Sequence, residues 1–244
     1  MLSFLKKPSS FTPVSLVSFE SDWHCHLLPQ IDDGAKNEAD TLEMLRAYVA
    51  LGIQKIVATP HVRADFFKNT TQTIQAAATK TRQLIETHQL PLTLDVSAEY
   101  YADENFLELI VHDDLLPIEE QYVLFELPMQ QPTMLAQKLV EKLQKKGYVP
   151  VLAHPERYRY WHGKPREWAF WKNEGICFQL NLLSLTGYYG AAERRAAEQL
   201  LDADYIDAVG TDAHGARHLE KLAELNRSSY FKALQQLPLL NRLS

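Results

Sequence analysis

The sequence predicts an α/β protein whose parallel strands close into a barrel, and three observations carry that expectation. Short runs rich in Val, Ile, Leu, Phe and Tyr recur at residues 16–24, 53–59, 92–99, 122–127, 149–154, 176–181 and 206–211. Longer stretches of helical periodicity separate them, and strand–helix alternation of this kind implies a parallel sheet. Neither G-x-G-x-x-G nor G-x-x-x-x-G-K-[ST] follows any run. An open, doubly wound, nucleotide-binding sheet therefore lacks its marker, which favours the barrel.

Each element has a local reason. The seven runs are too short for helices, and their apolar content suits strands buried on both faces. Asn37 caps a helix through Leu51, with Leu42, Leu45 and Val49 at core-facing spacing and Gly52 closing it. Thr70 or Thr71 opens a second helix reaching about His88, ahead of Pro91. Pro132 suits the first turn of a third, whose Leu135, Leu139 and Leu143 form a stripe before Gly147. Further helices are expected over 165–174, ended by Gly175, over 191–202, and over 218–237 with a break near 226–228.

The chain of 244 residues suits one domain over 20–244, with 1–19 as an N-terminal extension. Lys6 and Lys7 are followed by Pro8, Ser9, Ser10 and Pro13, so the run of ~7–15 apolar residues a signal peptide needs is missing. No stretch approaches the ~20 apolar residues of a spanning helix. A net charge of −6 argues against a broad nucleic-acid-binding face. Cys25 and Cys177 lie far apart and form no C-x-x-C pair, which fits a reducing, cytoplasmic setting.

The chemistry sits where the apolar runs end. The first run ends in Asp22-Trp23-His24-Cys25-His26, the second in Thr59-Pro60-His61 and the third in Ala98-Glu99-Tyr100. Phe125-Glu126, Ala153-His154-Pro155-Glu156-Arg157, Asn181 and Thr211-Asp212-Ala213-His214 close the others. In a parallel barrel these ends converge on the face where active sites are built. Side chains alternate along a strand, so His24 and His26 point one way, as do Asp212 and His214. Imidazole and carboxylate without thiolate suit Mn²⁺, Zn²⁺ or Fe²⁺, and more donors are present than one ion needs. A carboxylate inside Val123-Leu124-Phe125-Glu126-Leu127 also requires a compensating charge. His88 and His112 read as ordinary helix or loop residues, while His162 and His218 stay open.

The string His24-Cys25-His26-Leu27-Leu28-Pro29-Gln30-Ile31-Asp32-Asp33-Gly34-Ala35 resembles the opening signature of the capsule-biosynthesis tyrosine phosphatases. These belong to the polymerase-and-histidinol-phosphatase (PHP) superfamily. His154-Pro155-Glu156-Arg157-Tyr158 and Asp212-Ala213-His214 resemble its later motifs, in order. The resemblance implies a distorted (β/α)7 barrel holding three divalent ions, Mn²⁺ foremost with Zn²⁺ or Fe²⁺ as alternatives. It implies His24, His26, Glu99 and Asp212 on one ion; Glu99, Glu126 and His154 on a second; Asp33, His61 and His214 on the third. Asp32 would support these from behind, Arg157 would grip phosphate, and Arg217, at a spacing shorter than in relatives, is a second catalytic candidate.

The implied reaction is hydrolysis of phosphate monoesters, foremost phosphotyrosine in proteins, in capsular or exopolysaccharide biosynthesis. The partner would be a phosphotyrosine protein, a tyrosine kinase among the candidates, or a small phosphorylated substrate, without membrane insertion. A cysteine route needs C-x5-R, but Ile31 and Leu183 stand where the arginine belongs. Phe66, Tyr101 and Tyr158 are candidates to contact an aromatic substrate. Alternatives are a histidinol-phosphate or other small-molecule phosphatase, a phosphodiesterase or nuclease, and a non-catalytic metal-stabilised module.

Overall fold

A computed structural model describes residues 15, 16, 19 and 21–242. Most of the expected N-terminal extension, and positions 17, 18 and 20 of the first expected run, lie outside the described residues.

Among the described residues nine short strands follow one another: β1 Ser21–Asp22, β2 Lys55–Ala58, β3 His61–Val62, β4 Thr93–Val96, β5 Glu99–Tyr101, β6 Tyr122–Glu126, β7 Val149–Ala153, β8 Cys177–Asn181 and β9 Ala208–Gly210. All strand pairings are parallel, in the orders β1-β2-β4 and β3-β5-β6-β7-β8-β9. The expected run 53–59 becomes β2 and, past Thr59-Pro60, β3, because Pro60 has no N–H to give the ladder. The third run is likewise split into β4 and β5. Ser97 N donates to Ala58 O at 2.8 Å and Glu99 N to Pro60 O at 3.0 Å, so the two sheets continue across the interruption. A parallel bridge between Cys25 and Ala213 joins the first strand's extension to the last. The result is a curled sheet of seven strand positions in sequence order, distorted where the halves meet.

The helices lie between the strands. They are α1 Glu38–Leu51, α2 Thr71–Thr87, α3 Glu104–His112, α4 Leu135–Lys145, α5 Pro165–Asn173, α6 Leu182–Thr186, α7 Ala191–Asp202, α8 Ala216–Lys221 and α9 Ser229–Leu234. Asn37 caps α1 through Asp40 N, and Gly52 ends it at φ 80°. The buried face of α1 is Thr41, Met44, Leu45, Tyr48 and Leu51, with Leu42 and Val49 half-buried at its edges. The expected stripe was thus rotated from the true one. Pro132 precedes α4 instead of starting it, whereas Leu139 and Leu143 are buried as expected. Between α8 and α9 the chain tightens into a 3-10 turn, and Ser228 caps α9 at the expected break. No described helix is long and apolar enough to cross a membrane.

The join between first and last strands is pinned by a buried carboxylate. Asp22 accepts from Tyr48 Oη at 2.7 Å, Thr211 Oγ1 at 2.6 Å, Thr211 N at 3.0 Å and His24 N at 3.1 Å. Burying a carboxylate is costly without such donors. Here they set the backbone from which His24 and Asp212 project.

Candidate metal centre

Two glycines let the backbone close around the site. A Cβ on Gly34 would stand 1.8 Å from His26 O, and one on Gly210 would stand 2.5 Å from His24 Cβ. The loop after β1 therefore folds back onto His26, where Ala35 N donates to His26 O at 3.0 Å. His154 and Asp212 both adopt positive φ, 36° and 49°. That conformation costs about 1–3 kcal/mol for non-glycine residues and concentrates at functional sites.

Hydrogen bonds behind the histidines decide which ring nitrogen faces inward. Gln179 Oε1, oriented by its own amide donating to Leu180 O, accepts from His24 Nδ1 at 2.7 Å. Asp32 Oδ2 meets His26 Nδ1 at 2.8 Å, and Asp212 O meets His214 Nδ1 at 2.9 Å. With Nδ1 donating, each ring presents Nε2 to the interior, the nitrogen a cation would take. His24 Nε2 and His26 Nε2 stand 3.2 Å apart. Around them, His24 Nε2 lies 3.2 Å from Glu99 Oε2, and His26 Nε2 lies 3.3 Å from Asp212 Oδ1.

Nearer the opening, His61 Nδ1 faces Glu99 Oε2 at 3.0 Å and Glu126 Oε1 at 3.5 Å. His154 Nε2 meets Glu99 Oε1 at 3.0 Å. Nearer solvent, Asp33 Oδ1 lies 3.5 Å from His61 Nε2 and 3.3 Å from His214 Nε2. Buried His61 Nδ1 and Glu99 Oε2 are close but not aligned as hydrogen-bond partners, and each lacks one, as does His154 Nδ1. Buried polar atoms left without partners are costly, and a cation held by His61 and Glu99 would satisfy theirs.

Four overlapping groups of donor atoms could each hold an ion: His26, Asp33, His61 and His214; His24, Glu99 and His154; His24, His26 and Asp212; His61, Glu99 and Glu126. All nine residues expected as ligands belong to at least one. The partition differs from the expected one, because His61 joins Glu126, His154 joins His24, and His26 also reaches toward Asp33. Asp32 lies behind His26, also accepting from Gly34 N at 2.9 Å and His61 N at 3.2 Å.

The charges are strongly coupled. Burial alone would depress His24, but Glu99 and Asp212 outweigh it and raise its pKa to about 9. His61 rises in the same way against burial to about 10, and His214, against burial and bonded to Asp33, to about 9. Burial opposes Glu99 and Asp212, yet His24 and other neighbouring cations hold both well below the usual carboxylate range. Glu126 goes the other way, pushed up to about 8 by burial and the Glu99 charge. His154 is pushed down to about 4 by burial and Arg157.

A cavity of about 230 Å³ opens over these groups, with Arg157, Arg63, Phe67 and Met129 in its wall. Arg157 Nη1 donates to Asp212 Oδ2 at 2.7 Å. Three expected substrate contacts need correction. Tyr158 is fully buried, its hydroxyl between Leu127 N and Ala153 O, and offers no face to a ligand. Phe66 is 68% exposed and outside the wall, where Phe67 stands instead, stacked on His61 at 5.3 Å and 12°. Tyr101 lies beneath the Arg63 guanidinium, 4.0 Å from its ring centre, so Arg63 lines the cavity and Tyr101 does not. Arg217 is exposed on α8, also outside the wall, so nothing in this cavity supports its catalytic role. His162 binds Glu156 O, and His218 bridges His214 N and Tyr188 Oη; neither enters a donor group. Gln179, two residues before Asn181, and Arg63, two residues after His61, were both legible from strand alternation.

Residues 20–229 match the model of a family described as capsular polysaccharide synthesis, CpsB/CapC. Tyrosine-protein phosphatase YwqE of Bacillus subtilis (strain 168) is 34% identical over 197 residues, covering 80% of this chain and 78% of that protein. Tyrosine-protein phosphatase CpsB of Streptococcus pneumoniae is 23% identical over 199 residues, covering 79% and 82%. A crystal structure from work on YwqE and CpsB, described there as metal-dependent tyrosine phosphatases, superposes with a TM-score of 0.79 at 31% identity, covering 91% of this chain and 95% of that one.

Proposed function

The chain belongs to the CpsB/CapC capsular polysaccharide synthesis family, and from that premise we propose that it is a metal-dependent phosphatase hydrolysing phosphotyrosine in proteins. The observation that carries this reading is the convergence of imidazole nitrogens and buried carboxylate oxygens, several without a hydrogen-bond partner, beside the half-buried Arg157.

In this reading three divalent ions share the nine residues. His24, His26 and Asp212 would hold one, Asp33, His61 and His214 another, and Glu126 and His154 would serve the third together with Glu99, whose Oε1 faces His154 while Oε2 faces His24 and His61. The donor set, without sulfur, favours Mn²⁺, with Zn²⁺ or Fe²⁺ next. Bound ions supply Lewis acidity, offsetting phosphate charge and lowering the pKa of water.

The chain's own groups do the rest. Arg157 spends one N–H on Asp212 and has others for the non-bridging oxygens of a phosphate, a charge-assisted fork that strengthens as charge develops. Phe67 and Met129 give the cavity an apolar wall against which a phenyl ring can lie. A thiolate route has no reagent here, because Cys25 is fully buried and burial pushes its thiol far above the usual range. The protein substrate would include a tyrosine kinase, in the cytoplasm.

Turnover of a phosphotyrosine peptide and of histidinol phosphate by the same metal-loaded preparation tests the substrate. A preference for the peptide of at least tenfold in kcat/KM is expected, about 1.4 kcal/mol. A preference for histidinol phosphate would overturn the choice.

A further inference from the structure

Arg157 does not reach the cavity unaided. Its guanidinium carbon lies 4.3 Å from the centre of the Tyr189 ring, so the planar cation rests on an aromatic face. Tyr189 comes from the loop between α6 and α7, and its hydroxyl accepts from Asn181 Nδ2 at 3.1 Å and donates to Asp212 Oδ2 at 3.4 Å, a bond that Tyr189→Phe removes while keeping the ring. The same Asn181 amide donates to Asp212 Oδ2 at 2.8 Å, beside the Arg157 bond at 2.7 Å. Asn181 is itself fixed, since its Oδ1 accepts from Leu183 N at 2.9 Å and its N donates to the buried Glu156 at 3.1 Å. The platform is therefore anchored on the barrel wall, and the cation it carries is 25% exposed at the side chain.

We propose that Tyr189 is a positioning residue, whose ring face holds the Arg157 guanidinium flat with its free N–H edge turned toward the phosphate subsite. This rests on the phosphatase reading above. The geometry explains the need. Asp212 is the one carboxylate bonded to Arg157, and it is also a candidate metal ligand. A guanidinium without its platform would be free to close onto Asp212 with two N–H groups, which the carboxylate favours. Stacking on the ring lets the cation keep a single bond to Asp212 and present the rest to a ligand. Asn181, occupying Asp212 Oδ2 from the other side, opposes the same collapse.

The test is a double-mutant cycle between Tyr189→Leu and Arg157→Ala, read as the inhibition constant of inorganic phosphate and as bound metal per chain. Tyr189→Leu should weaken phosphate inhibition about fivefold with metal content unchanged, the scale of one cation–π contact. In the Arg157→Ala background the same substitution should change it by less than about twofold, because the residue it acts through is gone. Tyr189→Phe should retain most of the affinity. An equal fivefold loss in both backgrounds would make Tyr189 merely structural and overturn the inference while leaving the phosphatase reading intact. A wild-type protein showing neither phosphotyrosine hydrolysis nor phosphate inhibition would overturn both. Should Tyr189→Leu fail to fold, a polyfluorinated phenylalanine at the position keeps the shape and weakens only the ring's attraction for the cation. Phosphate inhibition weaker than with phenylalanine supports the inference, and equal inhibition overturns it.

Discussion

Asp32→Asn changes one oxygen to a nitrogen and should weaken His26 as a ligand without replacing any candidate metal ligand. Asp32 Oδ2 accepts from His26 Nδ1 at 2.8 Å and from His61 N at 3.2 Å, and Oδ1 accepts from Gly34 N at 2.9 Å. All three partners need an acceptor while His26 Nε2 faces inward unprotonated. An asparagine has one acceptor oxygen. Turned toward His26, its NH₂ opposes the Gly34 N–H, leaving buried donors unsatisfied at a cost of about 1–3 kcal/mol. Turned the other way, its NH₂ donates to His26 Nδ1, which moves the ring proton to Nε2 and removes the inward lone pair. Either way the site loses about 1–3 kcal/mol, a factor of roughly 5–150 in metal affinity, the range known for groups that orient ligating histidines. Competition of Mn²⁺ against a chelator of known affinity, on wild type and Asp32→Asn at neutral pH, measures it. Equal affinity and equal metal content in the two proteins would refute the reasoning.

Other outcomes follow from the same geometry. His24, His61 and His214, raised to about 9, 10 and 9, stabilise the metal-free fold fully below their unfolded value near 6.5, and that stability is lost as pH rises toward 10. The melting temperature of chelator-treated protein should therefore fall between pH 7 and pH 10, and a flat or rising profile would contradict the assigned protonation. Gly34→Ala places a carbon 1.8 Å from His26 O, a backbone atom, so metal content and melting temperature should both drop, by more than about 3 kcal/mol in stability; a crystal structure with the 31–35 loop unmoved would refute that. Phe67→Ala should raise KM for a phosphotyrosine peptide about fivefold and leave metal content alone, whereas unchanged KM would remove Phe67 from substrate recognition.

The alternation of strand and helix, and the polar residue at each strand end, were legible because both are local. His-x-His and Asp-x-His read as paired ligands by strand alternation, although both pairs lie just past β1 and β9 and Asp212 takes a positive φ, so their convergence is completed by the loops. The α1 face was misplaced because Leu42, Leu45 and Val49 fit helical spacing nearly as well as Met44, Leu45 and Tyr48, and only packing against the barrel chooses between them. Helix α3 was overlooked although Asp103, which caps it by accepting from Phe106 N, stands before Phe106 and Ile110 at helical spacing. Tyr189 was not legible at all. It follows the five-residue α6 and returns to Arg157 across 32 positions of sequence, a contact made by the fold alone. Nearness in sequence misled in the opposite sense at Tyr158 and Phe66. Each adjoins a residue that lines the cavity, yet Tyr158 is fully buried and Phe66 stands outside the wall against Arg63.

In the proposed function, nine histidines and carboxylates at the strand ends form one metal site on which hydrolysis depends. Elemental analysis of the purified protein, followed by phosphotyrosine-peptide turnover after chelation and after return of Mn²⁺, tests it most directly. More than one bound divalent ion per chain is expected, with loss of turnover when the ions are removed and recovery on their return. Full turnover in a metal-stripped sample would contradict it.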